Sequence, residues 1–281
     1  MGPLMGPLMG LPQAKIFDAF RGKPFRRIQR EACQRLYDYP HRNLLIIGQP
    51  KSGSTWLFNM VCGIPGYLPW TPNYIKFEKH DLHREWVERI PAGYTVTKTH
   101  TRPTEANRRM VDATGRPYVV LFRDLRDIAV SWCFYVGNEV NHPRHDLIAP
   151  LTISERLDYF IENMLPEFAF WSSTWMREHD SSLGLVVQYE SLLAEPVGVR
   201  ERVIRHYGID PGKVGVGEIV ERFRFEKTTG RKPGEEDATQ FNRKGVAGDW
   251  KNHFSSEQCD EFKRIGGEAL VVLGYERGED W

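Results

Sequence analysis

Nothing in these 281 residues approaches the ~20 consecutive apolar positions that a membrane-spanning helix requires, and the N-terminus has no basic region followed by an unbroken apolar stretch. Both absences predict a cytoplasmic protein with no membrane partner. An excess of one charge is missing as well: 38 Lys and Arg face 37 Asp and Glu, for a net charge of +1. No overall field draws the chain to nucleic acid, and any anion has to be held by a local cluster, which favours a small-molecule ligand. Cysteine is scarce. Cys33, Cys62, Cys133 and Cys259 form no Cys-x-x-Cys pair, and Cys62 and Cys133 sit inside apolar runs, which reads as reduced, buried thiols instead of a disulfide framework. His, Cys, Asp and Glu nowhere form a compact ligand set, so no metal is expected.

A hydrophobic fraction of 41% is ample for a full-sized core. Residues 1–10 repeat the unit Met-Gly-Pro-Leu, which cannot bury much surface, and residues 1–25 read as an N-terminal tail ahead of one domain over 26–281. Gly2 makes a poor myristoylation site, because Gly6 stands where that motif has Ser or Thr. After an Arg-rich segment with helical spacing (26–37), residues 43–48 (NLLIIG) read as a buried strand and 55–61 as a helix. Three more β-rich runs follow at 94–99, 118–123 and 183–188. Helices are predicted over 127–135, 155–177, 196–207 and 257–273, with Thr152/Glu155 and Ser255/Gln258 as capping pairs. No proline-rich linker divides the chain. Strands alternating with helices predict a single α/β domain, with a central parallel β-sheet flanked by helices and a P-loop-like strand-loop-helix for phosphate. The polar, glycine-rich stretch 228–252 is either a functional lid or disordered.

Between the first strand and helix lies Gly48-Gln-Pro-Lys51-Ser52-Gly53-Ser54-Thr55. Backbone amides and a helix N-terminus in such a turn favour a phosphate, although any tight turn also needs small residues there. The glycine spacing is that of a Walker loop, but Ser54 replaces its lysine and the only lysine is Lys51, which disfavours an ordinary ATPase. A second segment, 118–131 (YVVLFRDLRDIAVS), ends a strand on Arg123 and places Ser131 eight residues later; by itself it fits a surface ion pair and a helical serine equally well. A third, Arg243-Lys244-Gly245-Val-Ala-Gly248-Asp249-Trp250-Lys251, combines a planar fork, a point charge and a glycine that lets backbone approach an anion, or else is a solvated charged loop.

In this order, these segments resemble the phosphate loop, the arginine-serine motif and the Arg-Lys-Gly-x-x-Gly-Asp-Trp-Lys signature of the cytosolic-type sulfotransferases, over residues 26–273. The resemblance implies the donor 3′-phosphoadenosine 5′-phosphosulfate (PAPS), with adenosine 3′,5′-bisphosphate (PAP) as product. By that resemblance Lys51, Ser52, Gly53, Ser54 and Thr55 bind the 5′ end, while Arg123, Ser131, Arg243, Lys244 and Gly245 bind the 3′-phosphate. Trp56 and Phe225 flank the adenine, with Tyr189 near it and Phe241 giving apolar contact beside Arg243. The segment Thr97-Lys98-Thr99-His100 ends a β-rich run, where an α/β sheet presents its ligand edge, and resembles the family's Lys-Thr-His. It implies His100 as general base, a role suited to imidazole near neutral pH. Lys51 would then stabilise the leaving oxygen, Lys98 hold the sulfuryl group, and Ser131 restrain Lys51.

The expected acceptor is a small molecule carrying a hydroxyl, or alternatively an amine, bound by segments 65–85 and 132–151. Tyr67, Trp70, Phe77, Phe134 and Tyr135 there suit a flat or apolar molecule; Glu139, His142 and Asp146 suit a polar or cationic one if they face the pocket. Ser256 stands where the family's dimer motif has valine, which predicts a monomer or weak dimer. Two rivals keep the phosphate loop: a metal-dependent nucleotide kinase, which needs a Walker lysine, and a non-catalytic PAP binder, which needs no His100.

Overall fold

The computed structural model describes residues 32, 33, 35–71, 81, 82, 90, 91 and 93–278. The expected tail 1–25, Phe77 and Glu85 lie outside them. Among the described residues, five strands form one parallel sheet: β1 Asn43–Gly48, β2 Tyr67–Pro69, β3 Tyr94–Thr99, β4 Tyr118–Phe122 and β5 Gly184–Gln188, ordered β2-β3-β1-β4-β5. β1, β3, β4 and β5 coincide with the four predicted runs to within a residue at each end. The three-residue β2 was not legible, because so short a run has no periodicity.

Alternation along the buried strands splits the core into two layers. Leu45, Ile47, Val120 and Phe122 face one side, where α3 Leu125–Asn138, α4 Ile153–Asn163, α5 Leu165–Glu178 and α8 Ser256–Val272 cover them. Leu44, Ile46, Val119 and Leu121 face the other, under α1 Ser54–Cys62, α6 Pro196–His206 and α7 Val216–Arg222. The amphipathic α2 Glu105–Asp112 precedes β4, capped by the Thr104 side chain. No helix among the described residues is long and apolar enough to cross a membrane.

Both predicted capping boxes form, with Thr152 and Glu155 opening α4 and Ser255 and Gln258 opening α8. The single helix expected over 155–177 is two, α4 and α5, joined at Met164 (φ −115°, ψ −37°). Pro166 is the cause: it has no N–H to give to the preceding turn, its ring crowds that turn, and it is tolerated because it opens the second helix.

The order β3-β1-β4 makes β1 the switch point, since the chain leaves it to one side and later returns on the other. Ligands collect at the carboxyl ends of strands at such a point. Buried Asn43 fixes the opposite end, donating from Nδ2 to the hydroxyls of Thr95 (2.9 Å) and Thr97 (3.0 Å) on β3. Asn43→Ala is expected to cost about 1–3 kcal/mol, because buried hydroxyls lose their donor; a denaturant midpoint that falls at unchanged slope would show it.

Candidate active site

The turn from Gly48 into α1 is built from inside the protein. Gln49 is buried, donating from Nε2 to the Phe168 carbonyl (2.8 Å) and accepting from Ser172 Oγ (2.9 Å). Ser52 gives both its hydroxyl (2.6 Å) and its backbone N–H (3.1 Å) to the Gln49 carbonyl and is fully buried. It closes the turn instead of lining the cleft, a departure from the cofactor contact expected of it. Gly53 has φ 81°, and a Cβ there would stand 2.5 Å from the Tyr189 ring, so dihedral and close approach both demand glycine. Lys51 has φ 68°, a left-handed conformation that costs a side-chain-bearing residue energy and here aims its ammonium into the cleft.

The start of α1 is left open. Gly53 supplies no side-chain cap and the first turn holds no acidic residue, whereas Thr104, Asp124, Thr152 and Ser255 cap their own helices. The amides of this first turn therefore lack a side-chain acceptor, and Ser54 and Thr55 border the cleft, as suits an anion.

The neighbouring strands contribute the remaining groups. Beyond β3, His100 Nδ1 hydrogen-bonds the Gly48 carbonyl. A carbonyl only accepts, so Nδ1 carries the proton and the neutral ring has its lone pair on Nε2. Lys98 donates from Nζ to Thr55 Oγ1 (2.9 Å), and burial lowers its pKa. Beyond β4, the Arg123 guanidinium lies 4.4 Å from the Tyr189 ring centroid and donates to the carbonyls of Lys51 and Val246, each at 3.3 Å. Tyr189 follows β5 and meets Trp56 edge-on, centroids 6.3 Å apart. Trp56 donates from Nε1 to the Phe223 carbonyl (2.7 Å).

The segment that sequence left as a lid or disorder is an ordered strap across this cleft. Arg231 ties it together from within, donating to the carbonyls of Glu235 (2.7 Å), Arg243 (2.6 Å) and Asn242. Asn138 of α3 docks it through the Ala238 carbonyl (2.6 Å). Buried Asp127 anchors its far end, accepting from the backbone N–H of Gly248 (2.7 Å) and Trp250 (3.0 Å). Gly245 (φ 67°) lies so close to the Phe225 ring that a Cβ would stand 2.5 Å from it.

Arg243 and Lys244 are held by carboxylates. Glu236 Oε1 accepts from Arg243 Nη1 (2.6 Å), Asp249 Oδ1 accepts from Lys244 Nζ (2.6 Å), and Asp249 Oδ2 accepts from Arg243 Nη2. Burial alone would raise the Asp249 carboxyl, but hydrogen bonds from Lys244, Arg243 and Asn252 outweigh it and hold it well below the usual carboxylate range. The sequence showed Asp249 inside a recognised motif without a role; its function as counter-ion needs the folded distance.

Lys51, Lys98, His100, Arg123, Ser131, Tyr189, Arg243, Lys244 and Gly245 thus border one cavity of about 380 Å³, together with Gly53, Ser54, Thr55, Trp56, Phe225 and Phe241. Asn59, Phe223, Thr228 and Asn242 also border it; Asn59 and Phe223 carried no sequence signal, whereas Thr228 and Asn242 belong to the polar, glycine-rich stretch 228–252. The Lys51 ammonium rests on the rings of Tyr135 and Phe241; among the described residues, no hydrogen bond joins it to Ser131. The ring against the Arg243 guanidinium is Phe134, at 4.5 Å, and not Phe241. Of the aromatics expected around the acceptor, Tyr67 is fully buried, donating its hydroxyl to the His41 carbonyl in a cluster with Tyr39 and Tyr94, and Trp70 packs on the core. Tyr135 borders the cavity; His142 packs on Trp132 and Tyr135 beside it, Glu139 accepts from Asn141, and Asp146 is exposed.

Residues 41–273 match the sulfotransferase domain family. Human sulfotransferase 2A1 is 24% identical over 277 residues, covering 90% of this chain and 91% of its own, and mouse sulfotransferase 2B1 is 23% identical, covering 81% and 71%. Mouse sulfotransferase SULT7A1, solved with PAP, superposes with TM-score 0.64 at 20% identity, covering 88% of this chain and 92% of its own. A retinol dehydratase solved with androsterone and PAP gives TM-score 0.57 at 16% identity, covering 87% and 85%. With a matching domain that spans the whole sheet and every strand end described above, this chain belongs to the sulfotransferase family and is an enzyme of that class.

Proposed function

We propose that the protein transfers the sulfuryl group of PAPS to the hydroxyl of a small-molecule acceptor, with His100 as general base. The convergence of His100, Lys51 and Lys98 beside the uncapped start of α1 carries this reading. The cleft suits a doubly anionic nucleotide: Arg123 Nε is buried and bonded to no protein atom among the described residues, and the strap brings Arg243 and Lys244 to the same cavity. The α1 amides with Lys51 would hold the 5′ end, and Arg123, Ser131, Arg243 and Lys244 the 3′-phosphate; Trp56 and Phe225 offer ring faces for the base.

When bound, PAPS supplies a sulfur joined to a good leaving oxygen. His100 Nε2 takes the acceptor proton as the new oxygen–sulfur bond forms, because Nδ1 is committed to Gly48. The lysines place positive charge where it is needed, Lys98 being oriented by Thr55 and Lys51 by its backbone turn and two rings. Tyr135 at the cavity and His142 beside it favour an acceptor bound on the α3 side. Self-association through the segment after Trp250 is weak on this reading, since exposed Ser256 opens α8 in place of an apolar contact.

His100→Ala is expected to lower turnover by about 10²- to 10⁴-fold with PAP affinity retained. Arg243→Ala is expected to weaken calorimetric PAP binding by roughly ten- to a hundredfold while leaving the weaker binding of 5′-AMP in place. Equal affinity for PAP and 5′-AMP, or a preference for magnesium ATP, would discard the sulfotransferase reading.

Protonation of Lys51 gives a pH dependence. Burial, Arg123 and Lys98 push its pKa down to about 7. Above that pH the free protein holds an amine, while the unfolded chain, titrating higher, keeps its proton, so this group's contribution to stability grows with pH. An anionic ligand restores the ammonium. PAP binding at pH 8 should therefore take up protons and weaken as pH rises, which calorimetry in buffers of different ionisation heat measures. Uptake that persists in Lys51→Met would assign the proton elsewhere.

A further inference from the structure

Among the described residues Lys51 is a cation without a counter-ion. Arg123 and Lys98 face it from the ends of β4 and β3, and His142, beyond α3, has its pKa lowered chiefly by burial and Arg144, with a small part from the Lys51 charge. Among the described residues no carboxylate pairs with it. Instead its Nζ lies 4.0 Å from the centroid of the Tyr135 ring and 4.1 Å from that of Phe241. These rings stand at 90° to each other, centroids 5.9 Å apart, so they form two walls of one corner with the ammonium seated on both faces.

The walls come from different parts of the fold. Tyr135 is on α3, one turn beyond Ser131. Phe241 is on the strap, where it is 57% exposed and so owes its place to something other than burial. Asn138, one turn beyond Phe134 on the same helix, holds the strap against α3 through Ala238 and brings the second ring over the lysine. A ring face attracts a cation most when water is excluded, and burial, Arg123 and Lys98 together make this ammonium costly to keep.

We propose that Phe241 and Tyr135 are positioning residues for Lys51: their faces stand in for a counter-ion, favour its ammonium over its amine in the ligand-free protein, and tie the readiness of the lysine to the placement of the strap. Its significance for transfer rests on the function proposed above, but the clamp itself does not, so the test is made on ligand-free protein. The pH dependence of lysine acetylation by acetic anhydride, read residue by residue by mass spectrometry on the full chain, gives the midpoint of Lys51 with Lys98 as internal reference.

Phe241→Leu keeps apolar bulk and removes the face, and at an exposed position the fold should tolerate it, which a melting curve checks. The Lys51 midpoint is expected to fall by about one pH unit, a tenfold change in the ratio of ammonium to amine, while that of Lys98 stays in place and Phe241→Tyr restores the original value. An unchanged Lys51 midpoint in Phe241→Leu, or equal shifts in the Leu and Tyr variants, would overturn the clamp. A shift of Lys51 in a protein that fails to prefer PAP over 5′-AMP would uphold the clamp and reject the sulfotransferase reading. Where turnover is measurable, the alkaline limb of kcat/KM in Phe241→Leu moves down with the labelling midpoint, and a limb that stays fixed counts against the proposal.

Discussion

Five cations, Lys51, Lys98, Arg123, Arg243 and Lys244, converge on one cleft at the carboxyl edge of a parallel sheet, and the protein has to hold them there with a net charge of only +1. Removing like charges from water together is costly, so each must be hydrogen-bonded, paired or set against a ring face. The fold answers separately for each. Arg123 is shared among two carbonyls, the Tyr189 ring and Asp127, 3.8 Å away. Arg243 and Lys244 lean on Asp249 and Glu236. Lys98 bonds Thr55, and among the described residues Lys51 rests on rings alone.

The carboxylates do double work through the backbone. Asp127 accepts two N–H groups that terminate the strap and also faces Arg123, so one buried side chain fixes the strap relative to β4. Asp249 binds Arg243, Lys244 and Asn252 at once, which makes the signature a preformed unit, not a floppy basic loop. Such prior organisation lowers the ordering cost of ligand binding. Glu236, a third exposed, is the most accessible of these partners.

Glycine in this cleft serves aromatic contact as much as chain reversal. Gly53 under Tyr189 and Gly245 under Phe225 both hold positive φ, and both lie where any side chain would collide with a ring. The two contacts seat the turn after β1 against Tyr189 and the strap against Phe225. A position that needs both dihedral and space tolerates no other residue, which is why these glycines stand within the recognisable motifs.

The sequence alone determined four strands of the sheet, because runs such as NLLIIG and YVVLF are apolar, too short for helices and bounded by turn residues, and it singled out the three motif segments that meet at the cleft, because their residue types and order are chemically restrictive. His100 was legible for the same reason, as a histidine ending a strand. Only the tertiary structure decided which members of a motif face the cleft: Ser52 turns inward to Gln49, while its neighbours Gly53 and Ser54 open outward. It alone split the helix at Pro166, moved Tyr67 into the core, set Phe134 against Arg243 and brought Phe241 onto Lys51 from 190 positions away in the chain. Local patterns fix dihedrals and burial, which act over a few residues. Which charge meets which counter-ion or ring depends on distances between segments remote in sequence, and those exist only once the sheet has gathered its strand ends along one edge.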